Sequence, residues 1–109
     1  MLDTKKLQNE LIALGANPFL KGFGCTVEAL KVIDEKKDER VKLMNLYETV
    51  AERCGTKKSE VERAIRYFLK DFRKKPEAIE IIREKGTNGD SLFLLYYKLK
   101  GEVECNTES

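Results

Sequence analysis

The 109-residue sequence predicts an all-α fold, a compact domain of six helices. In most segments apolar residues recur every three or four positions, which is the spacing of a helix buried along one side. Glycine, proline and polar clusters separate these segments, as they do between helices. Only the run LFLLYY, residues 92–97, would also fit a short buried strand, because so short an apolar run suits either structure.

The N-terminal third predicts two helices. The first covers residues 3–14 and ends at Gly15. A loop with the sequence ANPFLKGFG, residues 16–24, contains one proline and two glycines that interrupt regular structure. Thr26 is expected to cap the second helix, which continues into the charged stretch EKKDER.

The remaining segments predict four more helices. A helix over 41–54 is followed at once by Gly55, which suits the left-handed position after a helix end. The fourth helix begins at Ser59, the fifth has Pro76 in its first turn, and the sixth is capped by Asp90. Residues 1–101 are thus expected to form one helix-turn-helix domain, with helices three and four as the pair, and residues 102–109 a disordered tail. Phe19, Phe23 and Tyr47 are expected in its core.

Composition excludes several classes of protein. There are three cysteines, without a CxxC pair, and no histidine, which excludes a disulfide framework, mixed His–Cys zinc sites and Ser-His or Cys-His nucleophile pairs. Cys25 and Cys54 are expected to be small core residues. The chain lacks a membrane-spanning run and a signal-peptide core, which predicts a cytoplasmic protein without a membrane association. We expect no cofactor, no metal and no catalytic residue.

Positive charge is concentrated in one segment, residues 53–75. It holds nine basic and three acidic residues, a local charge of +6 in a chain of only +2. The basic residues are Arg53, Lys57, Lys58, Arg63, Arg66, Lys70, Arg73, Lys74 and Lys75. Such a localised patch is typical of a surface that meets phosphates, although a solvated face is the simpler alternative.

The predicted fourth helix, residues 59–72, separates apolar from basic residues. Ser59 and Glu62 have the spacing of a capping box. The apolar stripe consists of Val61, Ala64, Ile65, Phe68 and Phe72, and the opposite face of Ser59, Arg63, Arg66, Lys70 and Arg73. A helix, a glycine turn and a second, basic helix are the pattern of a helix-turn-helix that binds DNA. An exposed ion pair between Glu62 and Arg66 is the structural alternative for those two residues.

Several motifs together resemble one family. SEVERAIR, preceded by LYETVAERCGT, is similar to the C-terminal DNA-binding effector domain of the master sporulation response regulator of spore-forming Firmicutes. ALGANPFLKGF followed by VEALKVI matches the glycine, KG-aromatic loop and E-A-aliphatic helix of that family. GTNGDSLFLLYYKL resembles its Thr-Asn turn and last helix. The likeness covers roughly residues 5–100.

The resemblance implies a six-helix domain whose fourth helix enters the major groove and reads a short promoter element. Glu62, Arg63 and Arg66 match positions on the base-reading face of the family. Arginine presents a bidentate fork to guanine, and glutamate accepts from cytosine. Ser59 and Lys21, the latter in the KG-aromatic loop, match positions suited to phosphates. Lys57, Lys58 and Lys70 also suit phosphates, which position the protein without reading sequence.

The chain departs from the family at two positions of the fourth helix. Glu60 stands where the family carries an arginine expected to touch DNA, and Tyr67 replaces a histidine. Glu60 and Tyr67 are both candidate DNA contacts. The charge reversal at Glu60 predicts weaker binding to DNA or recognition of a different DNA sequence. The family regulator also has an N-terminal phospho-acceptor receiver domain, and the 109 residues are compatible with a fragment or with a stand-alone relative.

The expected function is that of a sequence-specific, double-stranded DNA-binding transcription regulator. The alternative is a protein-interaction module of the same fold that modulates a full-length regulator or RNA polymerase without reading DNA. Pairing of two copies on DNA is a further expectation, with Tyr96 or Tyr97 as a contact. An enzyme is disfavoured, because GTNGD has the wrong length and context for a phosphate-binding loop.

Overall fold

Six α-helices account for the secondary structure of the residues that the computed structural model describes, which are 3–36, 43–82 and 87–108. The helices are α1 (Thr4–Ala13), α2 (Lys21–Glu35), α3 (Leu43–Cys54), α4 (Lys58–Phe72), α5 (Pro76–Ile82) and α6 (Asn88–Glu108). No strand occurs within these ranges, and LFLLYY belongs to α6. The all-α prediction is confirmed. The first two residues of the predicted third helix, 41–42, lie outside the described residues.

The centre of the domain is α2, which contacts α1, α3, α4 and α6. Ten of its 15 residues are buried, including polar Thr26 and Asp34. A helix that is apolar on nearly every side has to be enclosed by others. These four helices therefore take their positions from α2, and the candidate helix-turn-helix pair, α3 and α4, packs on one part of it, while α5 packs against α6.

Two helices end in a left-handed glycine. Gly55 has φ +67°, and its neighbour Thr56 donates its amide to the Ala51 carbonyl at 2.9 Å. Gly15 has φ +102° and Ala16 donates in the same way to Leu11 at 3.0 Å. Both are Schellman ends, in which the left-handed residue folds the chain back onto the last turn. The predicted role of Gly55 is confirmed, and only residues 55–57 separate α3 from α4.

The start of α2 differs from the prediction. The helix begins at Lys21, so Gly22 and Gly24 lie inside it and Thr26 is a buried interior residue, not a cap. The N-cap is Leu20, whose side chain makes no capping hydrogen bond. A helix start without a polar cap leaves no local signal in the sequence, which is why the loop was predicted to continue through Gly24.

Gly22 allows α2 and α4 to approach closely. A Cβ atom at this position would lie 2.1 Å from the Ala64 carbonyl oxygen and 2.5 Å from Phe68 Cβ. Neither atom is free to move away, since both belong to the rigid part of α4. Gly22 therefore serves the packing of two helices and does not interrupt one.

Differences from the sequence prediction also occur in α6. Its first described turn begins at Asn88, and the Thr87 hydroxyl accepts from the Asp90 amide at 3.1 Å. Thr87 thus fills the capping role that was predicted for Asp90, which lies within the first turn. The backbone is helical through Glu108, and the disordered tail expected over residues 102–109 stays a prediction.

The thiols of Cys25 and Cys54 differ in exposure. Cys25 is buried, as predicted, whereas Cys54 is exposed. Cys54 is exposed because the residues of α3 that follow Ala51 lie outside the core. Burial, and secondly the neighbouring Cys54 thiol, raises the pKa of Cys25, which lowers the fraction of this thiol that is present as the reactive thiolate near neutral pH.

A buried hydrogen bond joins α2 to α6. The Tyr96 hydroxyl donates to Asp34 Oδ1 at 2.7 Å, and both residues are more than nine-tenths buried. A carboxylate taken out of water needs such donors, because an unmet buried acceptor is costly. This bond connects residues that are 62 positions apart in the sequence.

We expect Tyr96→Phe to lower the free energy of unfolding by about 1–3 kcal/mol, because Asp34 loses one hydrogen bond where water cannot replace it. Urea unfolding followed by circular dichroism measures the change. The adjacent Tyr97→Phe is the matched control, since Tyr97 is 69% exposed and its hydroxyl has water available. Equal unfolding midpoints for the two variants would contradict a stabilising role for the buried bond.

Candidate nucleic-acid interface

The helix α4 divides into a buried and an exposed side. Its buried residues are Val61, Ala64, Ile65, Phe68, Leu69 and Phe72, which include every member of the predicted apolar stripe. Phe68 stacks on Phe72 with ring centroids 5.7 Å apart, and it meets Phe23 of α2 edge-on at 6.1 Å. The aromatic contacts hold α4 in one rotational setting, and that setting decides which residues face outward.

The start of α4 lacks the predicted capping box. The N-cap is Lys57, without a side-chain hydrogen bond, and its carbonyl accepts from the Glu60 and Val61 amides at 3.0 and 3.1 Å. Ser59 is consequently the second residue of the helix, not its cap. In an exposed first turn water can satisfy the free amides, so no side chain is required. The Ser59 side chain is exposed to solvent.

The exposed side of α4 presents a narrow basic strip. Ser59, Arg63, Arg66 and Lys70 are all exposed, and at about 100° per residue they fall within an arc of roughly 60°. Among the ion pairs of the described residues, none involves Arg63, Arg66 or Lys70, and the alternative pair between Glu62 and Arg66 is not formed. We call Ser59, Arg63, Arg66 and Lys70 the basic strip.

Other cations of the segment 53–75 serve structural contacts. The Arg53 guanidinium donates to Glu35 of α2 and lies 3.7 Å from Glu28. The hydrogen bond from Arg53 is the main cause that lowers the pKa of Glu35. On the other flank, Lys58 Nζ lies 3.8 Å from Glu48 of α3. Arg53 and Lys58, two of the basic residues that give this segment its charge of +6, are therefore engaged in ion pairs between helices.

Arg73 does not belong to the exposed face on which the sequence placed it. It is the C-cap of α4, and its guanidinium donates to the Ser91 hydroxyl and to the Thr87 carbonyl at the start of α6. The partners lie 14 and 18 residues further along the chain. The prediction was wrong because it continued the helical periodicity of the basic face to Arg73, although α4 ends at Phe72.

The two edges of the basic strip differ. Toward α3 lies Glu62. Burial, and secondly the negative charge of Glu62, raises the pKa of Tyr47 of that helix. Toward α2 lies Tyr67, which is 58% exposed, with the Arg66 guanidinium carbon 5.7 Å from the centre of its ring. This arrangement leaves the ring and the guanidinium together at the surface, where both can contact a ligand.

A groove separates the α2 edge of α4 from the start of α2. Its volume is about 360 Å³. It is lined by Leu20, Lys21, Gly22, Glu60, Arg63, Ala64, Tyr67 and Phe68. Lys21 Nζ lies 3.6 Å from Glu60 Oε2 across its mouth. Lys21 thus already has a carboxylate partner. It is also the first residue of α2, whereas the sequence predicted that it lies in a loop.

Sequence reasoning missed this pair because its members are 39 positions apart and neither helix start shows a local signal. Gly22 was the available clue, since a glycine inside a helix often marks a close approach of two backbones.

Of the three aromatic residues predicted in the core, Phe23 and Tyr47 are buried, but Phe19 is 95% exposed. Phe19 lies in a turn that is closed by a hydrogen bond from the Phe19 backbone amide to the Asn17 side-chain oxygen. This turn points away from the core.

Among the described residues, no three His, Cys, Asp or Glu side chains are grouped as a metal ion would require. Within the same ranges, no helix has both the length and the apolar character to cross a bilayer.

Comparison with known proteins identifies the family. The family model described as "Sporulation initiation factor Spo0A C terminal" matches residues 7–99. No curated protein and no solved structure matches the chain. The matched range contains all of the basic strip and both members of the Lys21–Glu60 pair. It covers the four helices α2 to α5 completely, and α1 and α6 in part. The chain belongs to the family of the C-terminal domain of the sporulation initiation factor Spo0A, the DNA-binding effector domain of a sporulation response regulator.

Proposed function

We propose that this domain binds double-stranded DNA sequence-specifically and regulates transcription, with α4 in the major groove. The observation that carries the proposal is the basic strip, in which two arginines and a lysine lie on one side of a helix without an ion pair among the described residues. Unpaired cations at a surface are available to phosphates and base edges, and a helix fits the width of the major groove.

The base-reading residues would be Glu62, Arg63 and Arg66. Arg63 and Arg66 are separated by about 4.5 Å along the helix axis, so each can reach a different base pair. Each guanidinium can form a bidentate contact with guanine O6 and N7, and Glu62 can accept from cytosine N4. Tyr67 and Glu60 lie at the α2 edge, where they can contact a flanking base or sugar.

The phosphate-binding residues would be Lys57, Lys58, Ser59 and Lys70. Ser59 lies in the first turn of α4, where helix amides and a hydroxyl suit an anion. Lys58 would exchange Glu48 for a phosphate, which is feasible because exposed ion pairs are weak. Lys21 would make a similar exchange with Glu60 as its partner.

Fluorescence-anisotropy titration tests the proposal. The duplexes are one with the sporulation-regulator element and one with a scrambled sequence, each at two salt concentrations. We expect a specific-over-scrambled affinity ratio of about 10³ or more, the range of specific readers. Equal, weak and steeply salt-dependent binding to both duplexes would contradict sequence-specific reading of that element. Two explanations would then be left: an altered recognition element, or a protein-interaction module of the same fold.

A further inference from the structure

We propose that Glu60 is an intramolecular competitor of DNA, because its carboxylate occupies Lys21 in the place of a phosphate. The inference rests on the proposed function and adds a residue that restrains binding instead of promoting it. It follows from the ion pair across the groove mouth, from the position of that pair beside the basic strip, and from its exposure to solvent.

The position of the pair puts Lys21 within reach of the same ligand as the basic strip. Glu60 is the third residue of α4 and Lys21 the first of α2. Both line the groove together with Arg63 and Tyr67. A duplex that contacts Arg63 through its bases would therefore bring its phosphates near the groove mouth. Lys21 is the cation that α2 contributes there.

The pair is also open to exchange. The side chains of Lys21 and Glu60 are 67% and 43% exposed, and their charged atoms are 3.6 Å apart. Such an exposed pair is weak, so a phosphate can displace Glu60 from Lys21. The displaced carboxylate then remains near the phosphate as a like charge, which opposes binding. Glu60 thus lowers affinity in two ways, by neutralising Lys21 and by repelling the backbone.

Close packing keeps the two residues opposite each other. Gly22, next to Lys21, lies against the Ala64 carbonyl of α4 with no room for a Cβ atom. The starts of α2 and α4 are therefore held at a set separation, and the Glu60 carboxylate stays within reach of Lys21. Arg63 follows Glu60 by one turn of the helix and lines the same groove, but among the described residues it forms no ion pair with Glu60.

The test is a double-mutant cycle with wild type, Glu60→Gln, Lys21→Ala and the double variant, titrated on the specific and the scrambled duplex. Glu60→Gln is expected to tighten binding to both duplexes about threefold to tenfold at 50 mM salt and to steepen the salt slope by about 0.9, the share of one phosphate contact. Lys21→Ala is expected to have little effect in wild type and to remove most of the gain in the Glu60→Gln background, where only the part due to the lost repulsion should remain.

Glu80→Gln in α5 is the matched control, because it makes the same change of net charge on a helix that packs against α6. It should leave affinity within about twofold. Thermal unfolding by circular dichroism of all five proteins verifies that each is folded at the temperature of the titration.

Two outcomes would overturn the inference and leave the proposed function standing. Lys21→Ala could lower the affinity for DNA equally in the wild-type and Glu60→Gln backgrounds, or it could lower the affinity more in wild type. The first would make Lys21 a phosphate contact independent of Glu60, and the second would mean that Lys21 assists binding by holding Glu60 away from Arg63. If neither wild type nor any variant binds either duplex, the proposed function fails and the inference fails with it. That result is distinguishable, because the other two require a wild type that binds.

Discussion

Arg63→Ala is expected to weaken binding to the cognate duplex by about 1–3 kcal/mol, roughly 5- to 150-fold in Kd, and to relax specificity at one base pair. Arg63 is exposed at the centre of the basic strip, and within the described residues it forms no ion pair. Its removal therefore leaves the fold intact and takes away only the contact with DNA. Anisotropy titration against the cognate duplex and its single-base variants measures both effects.

Two control variants separate base reading from charge. Arg63→Lys keeps the positive charge but not the planar fork, so it should lose specificity at the same base pair while retaining much of the non-specific affinity. Lys58→Ala removes a phosphate contact and should weaken all duplexes alike, with a salt slope flatter by about one unit. If Arg63→Ala leaves specific binding unchanged, α4 is not the reading helix.

Gly22→Ala is expected to lower the free energy of unfolding by about 2–3 kcal/mol, the scale of overpacking a tight contact. The new methyl group would lie 2.1 Å from the Ala64 carbonyl oxygen. To relieve this overlap α2 and α4 must separate along their shared contact. Alanine has the higher helix propensity by about 1 kcal/mol, but this gain is smaller than the cost of separating the helices. Thermal unfolding should shift downward by on the order of 10 °C for a domain of this size.

Gly24→Ala, two residues along the same helix, is the matched control. A Cβ atom at Gly24 would meet nothing within 4 Å, so only the propensity gain remains and stability should rise by up to about 1 kcal/mol. The two substitutions are chemically identical and are predicted to have opposite signs. A common sign would show that helix propensity, and not the distance between α2 and α4, determines the effect at Gly22.

The parts of the fold that follow from local chemistry could be predicted. The alternation of apolar and basic residues specifies which side of α4 is buried, and Gly55 specifies where α3 ends, because only a left-handed residue closes that turn. Both depend on neighbours within a few positions. The family could also be recognised from the motifs around SEVERAIR, which are contiguous in the chain.

The predictions that were wrong depend on distant partners. The start of α2 has no polar cap, so the loop around Gly22 and Gly24 was extended too far. Ser59 was assigned a capping role that the exposed first turn of α4 does not need. Arg73 was placed on the binding face although its partners at the start of α6 lie outside any local window. Cys54 and Phe19 were assigned to the core on residue type alone, which does not report where an element leaves the core.

The candidate interface illustrates this division between local and long-range information. From the sequence one can count nine basic residues over 53–75, predict that four of them lie opposite an apolar stripe, and recognise the family. Which of those cations are free is a property of the assembled helices: Arg53 and Lys58 contact carboxylates on α2 and α3, Arg73 contacts α6, and Arg63, Arg66 and Lys70 form no ion pair within the described part of the chain. The physical reason is that an ion pair depends on distance in space, and only the packing of α2, α3 and α6 around α4 brings those partners within a few ångströms.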